Sequence, residues 1–394
     1  MRQRDDGSRV LKPSNVLKLS RALPANGDGT GRSQITYYDA GIGALVTYPG
    51  RANRLLCLAD RVLGGIWGAG FEANIEEAFR FLAHNFAAGD RVFVFGFSRG
   101  AAQARALTHF IDWLGGVPAK GDAYFGPLFF LHWIKTRGAG RPEEVTTADG
   151  RRPDHPMTPV EVDLLGVWDT VLALGSRFHT GRRTSTGKWS FFVRPQPALC
   201  VAHARQALAI DERRFDYQPE VFVGCADHQS LAQRWFAGSH TNIGGGYVND
   251  GLANIPFRWL VDEAAALGLA FDRDYIKHFN PYPQAQLYSS SSLFFSAFEL
   301  LRLRSGGGHR RLTGYPPGAG LEIDRSVIHR IRSDAAEHDQ LDRYRPENVF
   351  DSLAGETDLD ATFDAMGLNA EQRRLPPDVV ETIRAMKANA RSES

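Results

Sequence analysis

The fold is decided by the stretch RVFVFGFSRGAAQAR, residues 91–105, in which a short apolar run passes through a small polar turn into a helical pattern. The apolar run is rich in Val and Phe, which is typical of a strand buried on both faces of a parallel sheet. Beyond the turn, Ala102, Ala106, Phe110 and Trp113 recur at helical spacing. A strand, a tight turn and a helix in this order predict a doubly wound α/β domain.

The flanking sequence extends this prediction. Residues 54–88 have a helical pattern that places Ile75, Phe79 and Leu82 on one face. VDLLGVWDTV (162–171) and QRWFAGSHTNIGGGY (233–247) each begin as a short apolar run, and ITYYDAGIG (35–43) resembles an earlier strand. VAHARQALAIDERR (201–214) has a helical pattern instead, and we expect its Asp211 to hold a nearby arginine. The predicted fold class is α/β, with a mostly parallel sheet flanked by helices.

Three long segments interrupt this pattern, at 114–160, 172–200 and 283–320. They are expected to be irregular, and segments of that length inside a domain are usually functional loops or lids. The third contains SSLFFSAFELLRL, which fits a lid, an acyl-binding wall or an ordinary core helix. We expect residues 1–350 to form one domain with insertions, followed by a polar, partly helical tail at 351–394.

Composition excludes several classes of protein. A net charge of +1 over 394 residues provides no field for recruiting nucleic acid. Cys57, Cys200 and Cys225 are far apart and lack metal-ligand spacing, so neither a metal site nor a disulfide framework is predicted. The N-terminus lacks the apolar core of a signal peptide, and no stretch reaches the length of a membrane span. We expect a protein that is cytoplasmic as synthesised, and any export would avoid the general secretory route.

Gly96-Phe97-Ser98-Arg99-Gly100 satisfies the pattern G-x-S-x-G. In that motif the serine occupies a strained turn between a strand and a helix, and small residues two positions away avoid backbone clashes. Its hydroxyl then lies above the sheet, and the next N–H, that of Arg99, can stabilise an oxyanion. This predicts that Ser98 is a nucleophile. The alternative is a serine that caps the helix that follows.

A serine nucleophile needs a base to take its proton and a carboxylate to orient that base. In an α/β-hydrolase the chain order is serine, acid, histidine, each beyond the carboxyl end of a strand. Asp169 and His240 fit that order. Asp169 could instead cap a helix or anchor a loop, and His240 could be structural; His329 is the alternative base. No phosphate loop is present, so no cofactor or metal is predicted.

Several motifs together resemble the α/β-hydrolase family once known as a domain of unknown function, which includes the type VI secretion phospholipase effectors. The matching motifs follow the family's order and are PSNVLKL (13–19), YYDAGIG (37–43), GFSRGAAQARAL (96–107), LLGVWDTV (164–171), HARQALAIDERR (203–214), WFAGSHTNIGGGY (235–247) and YRPENV (344–349). The resemblance implies an α/β-hydrolase-like fold with Ser98 as the nucleophile. It also implies an oxyanion donor near Asp6-Gly7-Ser8, which makes Gly7 a candidate.

The sequence departs from the family at three places. MRQRD, which precedes Gly7, cannot form the hydrophobic strand with which the family opens. Asn242 follows His240 where the family has aspartate, so Asp169 would have to serve as the acid if that aspartate were catalytic. Asp324 stands where the family tends to have a late histidine, which favours His240 as the base, or leaves His329 as a substitute in an impaired enzyme.

The resemblance implies a serine hydrolase that cleaves carboxylic esters, and the characterised members cleave phospholipid acyl esters. A lipid substrate implies transient contact with a membrane surface rather than a spanning helix. Analogy with secretion effectors adds a cognate inhibitor protein as a partner and export by a non-Sec secretion system. The alternative function is an impaired or non-catalytic relative that acts as a lipid- or protein-binding module.

Overall fold

Five of the described strands form the main sheet, in which they lie in the same order as along the chain. The computed structural model describes residues 2–3, 9–10, 12–27, 32–40, 67–171, 191–214, 217–288, 309–333 and 343–392. The described strands are β1 (Arg2–Gln3), β2 (Arg9–Val10), β3 (Val92–Phe97), β4 (Val162–Trp168), β5 (Val201–Ala209), β6 (Ser230–Phe236) and β7 (Leu321–Ile323).

Helices lie between and after these strands. The described α-helices are α1 (Asn15–Arg21), α2 (Trp67–Asn85), α3 (Arg99–Leu114), α4 (Gly126–Thr136), α5 (His240–Gly244), α6 (Gly251–Ala266), α7 (Arg273–Ile276), α8 (Arg325–Arg332), α9 (Glu347–Gly355), α10 (Leu359–Ala365) and α11 (Pro377–Ser392). Strands β3 and β4 pair in parallel, as do β6 and β7. The predicted α/β class with a parallel sheet is therefore confirmed.

The chain divides into two compact units. The first comprises Met1–Gln34, Gln206–Pro219 and Ala232–Ser394, and the second comprises Ile35–Arg205 and Glu220–Leu231. Strand β5 contributes residues to both units. Strands β3 and β4 lie in the second unit, and β7 lies in the first.

The second unit is built around an aromatic core. Phe110 of α3 lies with its ring centroid 4.6 Å from that of Phe79 on α2 and 5.3 Å from that of Trp133 on α4. Ile75 and Phe79 are buried as the helical periodicity predicted, and so is Ala102. This core fixes α3, whose first two residues, Arg99 and Gly100, end the G-x-S-x-G motif.

The first unit buries apolar side chains of β6, α5, α6, α8 and α9. Its buried apolar side chains include Trp235, Ile243, Phe257, Leu260, Val327, Ile331, Val349 and Leu353. The predicted tail begins inside α9, and its residues Phe363, Val379 and Ile383 are also buried. The division into a 1–350 domain and a tail stays a prediction.

Three local expectations differ from the structure. Residues 201–209 form strand β5 rather than a helix, and residues 35–40 have no regular secondary structure. The segment 114–160, expected to be irregular, contains helix α4, where Phe129 and Trp133 are buried.

Other expectations lie outside the described residues. These are Gly7, Cys57, residues 41–43 of the predicted early strand, residues 172–190 and the segment SSLFFSAFELLRL. Near the N-terminus, β1 and β2 pair antiparallel in a sheet of two strands, so Arg2–Gln3 is not one of the five strands of the main sheet.

Candidate active site

Ser98 stands between the end of β3 and the start of α3 with φ 60° and ψ −123°. This conformation is rare for residues other than glycine and costs free energy that the surrounding structure must offset. The side chain makes no capping hydrogen bond to α3. A capping serine normally has extended backbone and accepts a backbone N–H through its hydroxyl. The geometry of Ser98 is therefore that of a strained turn rather than an ordinary helix cap.

The two glycines of the motif have different roles. A Cβ on Gly96 would lie 2.3 Å from the carbonyl oxygen of Gly100, which is far inside van der Waals contact. A Cβ on Gly100 would meet nothing within 4 Å. The turn therefore needs glycine at position 96 for close backbone approach, whereas the predicted steric reason for Gly100 is absent.

Asp169 occupies the neighbouring strand end. Phe97 and Trp168 are register partners in the parallel pair β3–β4, and the N–H of Ser98 donates to the carbonyl oxygen of Trp168 at 3.0 Å. Asp169 follows Trp168, is buried, and has φ 42°. The structure therefore brings Ser98 and Asp169 to adjacent positions at the carboxyl edge of the sheet. Asp169 is not part of a helix.

Arg99 and Gly7 were the predicted oxyanion donors. Arg99 is the first residue of α3, and the N–H groups of a first helical turn have no acceptor within the helix. That position suits an oxyanion donor by its backbone. Gly7 lies outside the described residues, so both assignments stay predictions.

His240 follows β6 in the first unit and is the first residue of α5. Its side chain is 5% exposed. Its backbone N–H donates to Glu212 Oε2 at 3.3 Å, and its ring centroid lies 5.0 Å from that of Tyr217 at an interplanar angle of 74°. Sequence reasoning missed both neighbours. Glu212 lies within the motif HARQALAIDERR, whereas Tyr217 lies three residues beyond its end, and nothing in the sequence links either residue to His240.

Asn242, the departure from the family, has a structural role. Its Oδ1 accepts from the N–H of Ser239 at 3.3 Å, from Ser239 Oγ at 3.1 Å and from the N–H of Tyr288 at 3.2 Å. Its Nδ2 donates to the carbonyl oxygen of Gln286 at 3.4 Å. The amide therefore holds the turn that carries His240, and the last of these bonds needs a donor that aspartate lacks.

The glycines after His240 pack against the motif PSNVLKL. Asn15 Nδ2 donates to the carbonyl oxygens of Ile243 and Ala253 at 2.8 and 2.9 Å. Gly245 has φ 83°, and a Cβ there would lie 2.9 Å from the backbone nitrogen of Asn15. The glycine run thus makes a turn against α1.

Lys18, on the same helix as Asn15, also binds polar groups that follow the glycine turn. It is buried and binds Asp250 at 2.8 Å and Asn254 Oδ1 at 2.7 Å. Burial lowers the pKa of Lys18 although Asp250 opposes the shift. Asn15 and Lys18 of the motif PSNVLKL therefore bind polar groups between residues 243 and 254.

His329 and Asp324 occupy helix α8 and its cap. Asp324 follows β7 and accepts the N–H of Ser326 at 2.9 Å as the N-cap residue. His329 lies within the helix, where burial and the charges of Arg332 and Arg325 lower its pKa. Asp324 therefore has a capping role, and His329 lies in the second turn of a helix, whereas His240 begins one.

Neither a metal site nor a membrane span is found within the described ranges. In the part of the chain that the structure describes, no group of three His, Cys, Asp or Glu side chains could hold a metal ion. No helix of the described residues is long and apolar enough to cross a membrane.

Comparison with known proteins gives relatives of both unknown and named function. A yeast protein, YEL023C of Saccharomyces cerevisiae, is 27% identical over 218 residues, which cover 53% of this chain and 30% of the yeast protein. A solved structure of an uncharacterized Pseudomonas aeruginosa protein is 17% identical with a TM-score of 0.32, covering 81% of this chain and 43% of that one. This chain thus spans less than half of each of these two relatives.

A second solved structure is that of the Tle1 effector bound to the VgrG spike of the type VI secretion system. It is 18% identical with a TM-score of 0.38, and the match covers 73% of this chain and 68% of that one. The profile of one protein family, described as the catalytic domain of Tle1-like phospholipase effectors of the type VI secretion system, matches residues 2–263. The chain belongs to this family of Tle1-like phospholipase effector catalytic domains.

Proposed function

We propose that this protein is a serine hydrolase of lipid acyl esters, with Ser98 as nucleophile, His240 as base and Asp169 as the acid that orients the base. The observation that carries the proposal is the backbone of Ser98, with φ 60° and ψ −123° directly before the first turn of α3. Strain of this kind persists where surrounding structure supports it, and it clusters at active sites. Membership of a phospholipase effector family supports the substrate class.

The proposed reaction has two halves. Ser98 Oγ attacks the ester carbonyl carbon while His240 takes the hydroxyl proton, and the carbonyl π electrons move onto oxygen. The N–H of Arg99 stabilises that oxyanion. Collapse of the tetrahedral intermediate breaks the bond to the alcohol, which leaves with the proton from His240. Water then repeats the sequence on the acyl-enzyme, and the fatty acid leaves as Ser98 regains its proton.

Asp169 is proposed as the orienting acid because of its position and burial. It is the next residue after the register partner of Phe97, one step from the strand end that carries Ser98. A buried carboxylate that accepts from an imidazole fixes its tautomer and stabilises the imidazolium that forms during attack. Asp324 is the weaker candidate, since its carboxylate caps α8.

A lipid substrate is supported by apolar groups on the chain beyond His240. Val248 and Tyr282 are 54% and 46% exposed, and the N–H of Tyr282 donates to the carbonyl oxygen of Gly251 at 3.1 Å. Tyrosine is favoured where one end of a side chain meets an apolar phase and the other meets water. We propose that the exposed side chains of Val248 and Tyr282 contact acyl chains or a membrane surface.

The test is hydrolysis of short and long acyl esters, including phospholipid in vesicles, by the wild type and by Ser98→Ala, Asp169→Asn and His240→Gln. Each variant should lose about 10⁴-fold or more in kcat. His329→Gln and Asp324→Asn are the matched controls and should stay within about threefold of the wild type, because they remove groups outside the proposed relay. A fluorophosphonate probe should label the wild type at Ser98 and leave Ser98→Ala unlabelled.

Full activity in Ser98→Ala would overturn the proposal. Loss of activity in His329→Gln with retention in His240→Gln would move the base to His329. Folded wild-type protein that binds phospholipid vesicles but hydrolyses no ester would instead support the non-catalytic binding module. Cleavage of short esters but not of phospholipid would retain the serine mechanism and reject the lipid substrate. A cognate inhibitor protein stays a prediction from family analogy.

A further inference from the structure

The turn that carries His240 is held by two consecutive carboxylates. Asp211 Oδ2 accepts the N–H of Gly238 at 2.7 Å, and Glu212 Oε2 accepts the N–H of His240 at 3.3 Å. Both residues follow β5 in the same unit as His240. Two backbone positions, Gly238 and His240, are therefore fixed by one short segment of chain. A third bond, from Tyr344 Oη to Asp211 Oδ2 at 2.8 Å, orients the first carboxylate.

Glu212 also forms an ion pair with Arg214. Its two carboxylate oxygens accept from Arg214 Nε and Nη2, each at 2.8 Å, and Oε1 also accepts the N–H of Arg214 at 2.8 Å. The Glu212 side chain is fully buried. Burial alone would raise the pKa of Glu212, but the hydrogen bonds and charge of Arg214 outweigh it and hold the pKa below its ordinary value. A bidentate pair of this kind fixes the plane of the guanidinium.

Tyr217 contacts both the guanidinium of Arg214 and the imidazole of His240. Arg214 Cζ lies 3.4 Å from the centroid of the Tyr217 ring, and that ring meets the ring of His240 at 74° with 5.0 Å between centroids. Arg310, itself buried, donates to the carbonyl oxygen of Tyr217. The phenol is thus held from its backbone and from one face while it contacts the imidazole. We name Asp211, Glu212, Arg214 and Tyr217 the histidine cradle.

We propose that Tyr217 is a positioning residue that fixes the ring orientation of His240, and that the Glu212–Arg214 pair holds Tyr217 in place for this purpose. The proposal rests on the proposed function, in which His240 is the base. A base acts only when its nitrogen lies within hydrogen-bond reach of the proton it accepts, and displacements of about 1 Å cost about 100-fold in rate. Packing against a fixed aromatic ring restricts imidazole rotation without adding another proton acceptor.

The test compares Tyr217→Leu and Tyr217→Phe with the matched control Tyr275→Leu. Tyr275 lies in the same unit and packs edge-on against Phe279, with centroids 5.2 Å apart at 70°. On a short soluble acyl ester, Tyr217→Leu should lower kcat about 10- to 100-fold with KM changed by less than about twofold. Tyr217→Phe keeps the ring and should retain the wild-type kcat, as should Tyr275→Leu.

A spectroscopic readout separates positioning from a general loss of structure. With ¹³C-labelled histidine, the Cε1–H signal of His240, assigned by its loss in His240→Gln, should shift or broaden in Tyr217→Leu. It should remain in place in Tyr217→Phe and in Tyr275→Leu. If Tyr217→Leu fails to fold, Arg214→Gln leaves the ring present and should move the same signal with a smaller loss of kcat.

An unchanged His240 signal in Tyr217→Leu or Arg214→Gln would overturn the proposal, and so would an unchanged kcat in a folded Tyr217→Leu. Failure of the proposed function has a different signature. If His240→Gln keeps the wild-type kcat, His240 is not the base, and the signal of His240 still reports whether Tyr217 fixes its ring.

Discussion

The N–H of Ser98 donates to the carbonyl oxygen of Trp168 across 3.0 Å, and this bond aligns the ends of two parallel strands. Ser98 and Asp169 are the next residues on those strands, and both have positive φ, 60° and 42°. Positive φ is uncommon outside glycine, and here it occurs twice at one edge of the sheet. The strain is therefore concentrated where the proposed nucleophile and the proposed acid leave the sheet.

Replacing the strained serine by glycine should stabilise the fold while removing activity. Relief of about 1–3 kcal/mol of backbone strain exceeds the extra unfolded-state entropy of glycine, about 0.5–1 kcal/mol. Ser98→Gly should therefore raise the free energy of unfolding by about 1 kcal/mol, measured by urea denaturation. Arg137→Gly, at φ 52°, is the control: it should also stabilise the fold but leave ester hydrolysis unchanged. A lower urea midpoint for Ser98→Gly would contradict this account.

The two motif glycines should respond oppositely to alanine. In Gly96→Ala the new methyl group would overlap the carbonyl of Gly100 at 2.3 Å, so the turn must open at a cost of about 3 kcal/mol or more. Gly100→Ala fills open space within the first turn of a helix and should be neutral or slightly stabilising. Thermal melts and probe labelling of Ser98 measure both effects. Equal tolerance of the two substitutions would show that the close approach at Gly96 is unimportant.

The ion pair in the histidine cradle should make stability depend on pH. The pKa of Glu212 in the folded protein lies below its ordinary value of 4.5, so the unfolded chain binds a proton first as the pH falls. The stabilisation is complete above about pH 4.5 and is lost as the pH falls through the folded pKa. Glu212→Gln should cost about 3 kcal/mol at pH 7, with the difference from the wild type shrinking on acidification. Unfolding curves across pH 3–7 test this, and a difference independent of pH would contradict it.

A matched control is available for that series. Asp378 forms a salt bridge with Arg345 at 2.7 Å on the exposed surface. Surface ion pairs contribute little because water and salt screen them. The hydrogen bond from Arg345 also lowers the pKa of Asp378, but this carboxylate is exposed and screened, so Asp378→Asn should change the pH dependence of unfolding far less than Glu212→Gln does.

Restoring the family's aspartate after His240 should not improve activity. Asn242→Asp keeps an acceptor for Ser239 and Tyr288 but replaces the donor to Gln286 with a carboxylate facing a carbonyl oxygen. We expect a loss of about 1–3 kcal/mol in stability and no rise in kcat. Measurement of kcat and thermal midpoint decides the matter: a faster Asn242→Asp enzyme would assign the acid to position 242 instead of Asp169.

Removing the Asn15 side chain, which binds the glycine turn, should lower the free energy of unfolding. Asn15→Ala leaves the buried carbonyls of Ile243 and Ala253 without their donor, which should lower stability by about 2–3 kcal/mol. Ser20→Ala, on the same helix, removes a hydroxyl that donates to Leu17 at 3.0 Å in a partly exposed position and should have little effect. Similar urea midpoints for Asn15→Ala and the wild type would rule out this anchoring role.

The spacing of apolar residues correctly predicted those helices and strands in which the apolar positions are the buried ones. Strand β3, helix α3 and the buried face of α2 were all predicted, because apolar spacing and turn residues agree there. Helix α4 was missed, although Pro127 in its first turn and the buried Phe129 and Trp133 are ordinary helix signals. Those signals stand in a segment rich in Gly, Pro and Arg, which dominated the prediction.

Where tertiary contacts override local preference, the prediction from sequence was wrong. VAHARQALA is rich in Ala, Gln and Arg, which favour helix, yet it forms β5; position within a sheet decides such cases. ITYY has strand propensity, but residues 35–40 form no strand. Tyr37 instead packs on Phe81 of α2, with ring centroids 5.3 Å apart.

Within the candidate site, chain order and the motif were enough to nominate Ser98, Asp169 and His240 as a hypothesis. They could not reveal the histidine cradle, because its members come from a separate strand end and meet His240 only through folding. Asp211 was expected to hold an arginine, and the charges of Arg330 and Arg213 do act on it, opposing the rise in its pKa that burial causes. Its hydrogen bonds to Gly238 and Tyr344 were not predicted. The sequence does not indicate which backbone N–H groups donate to Asp211 and Glu212.

The anchoring of α1 has a consequence for the order in which the protein can be made. Asn15 and Lys18 leave the ribosome before their partners Ile243, Ala253 and Asn254, which follow 228, 238 and 236 residues later. Closing such long loops is slow, and at a synthesis rate of about 5–20 residues per second the first helix waits more than about ten seconds for its site. The glycine turn therefore assembles only after residue 254 has emerged, by which point all residues of the second unit have already been synthesised.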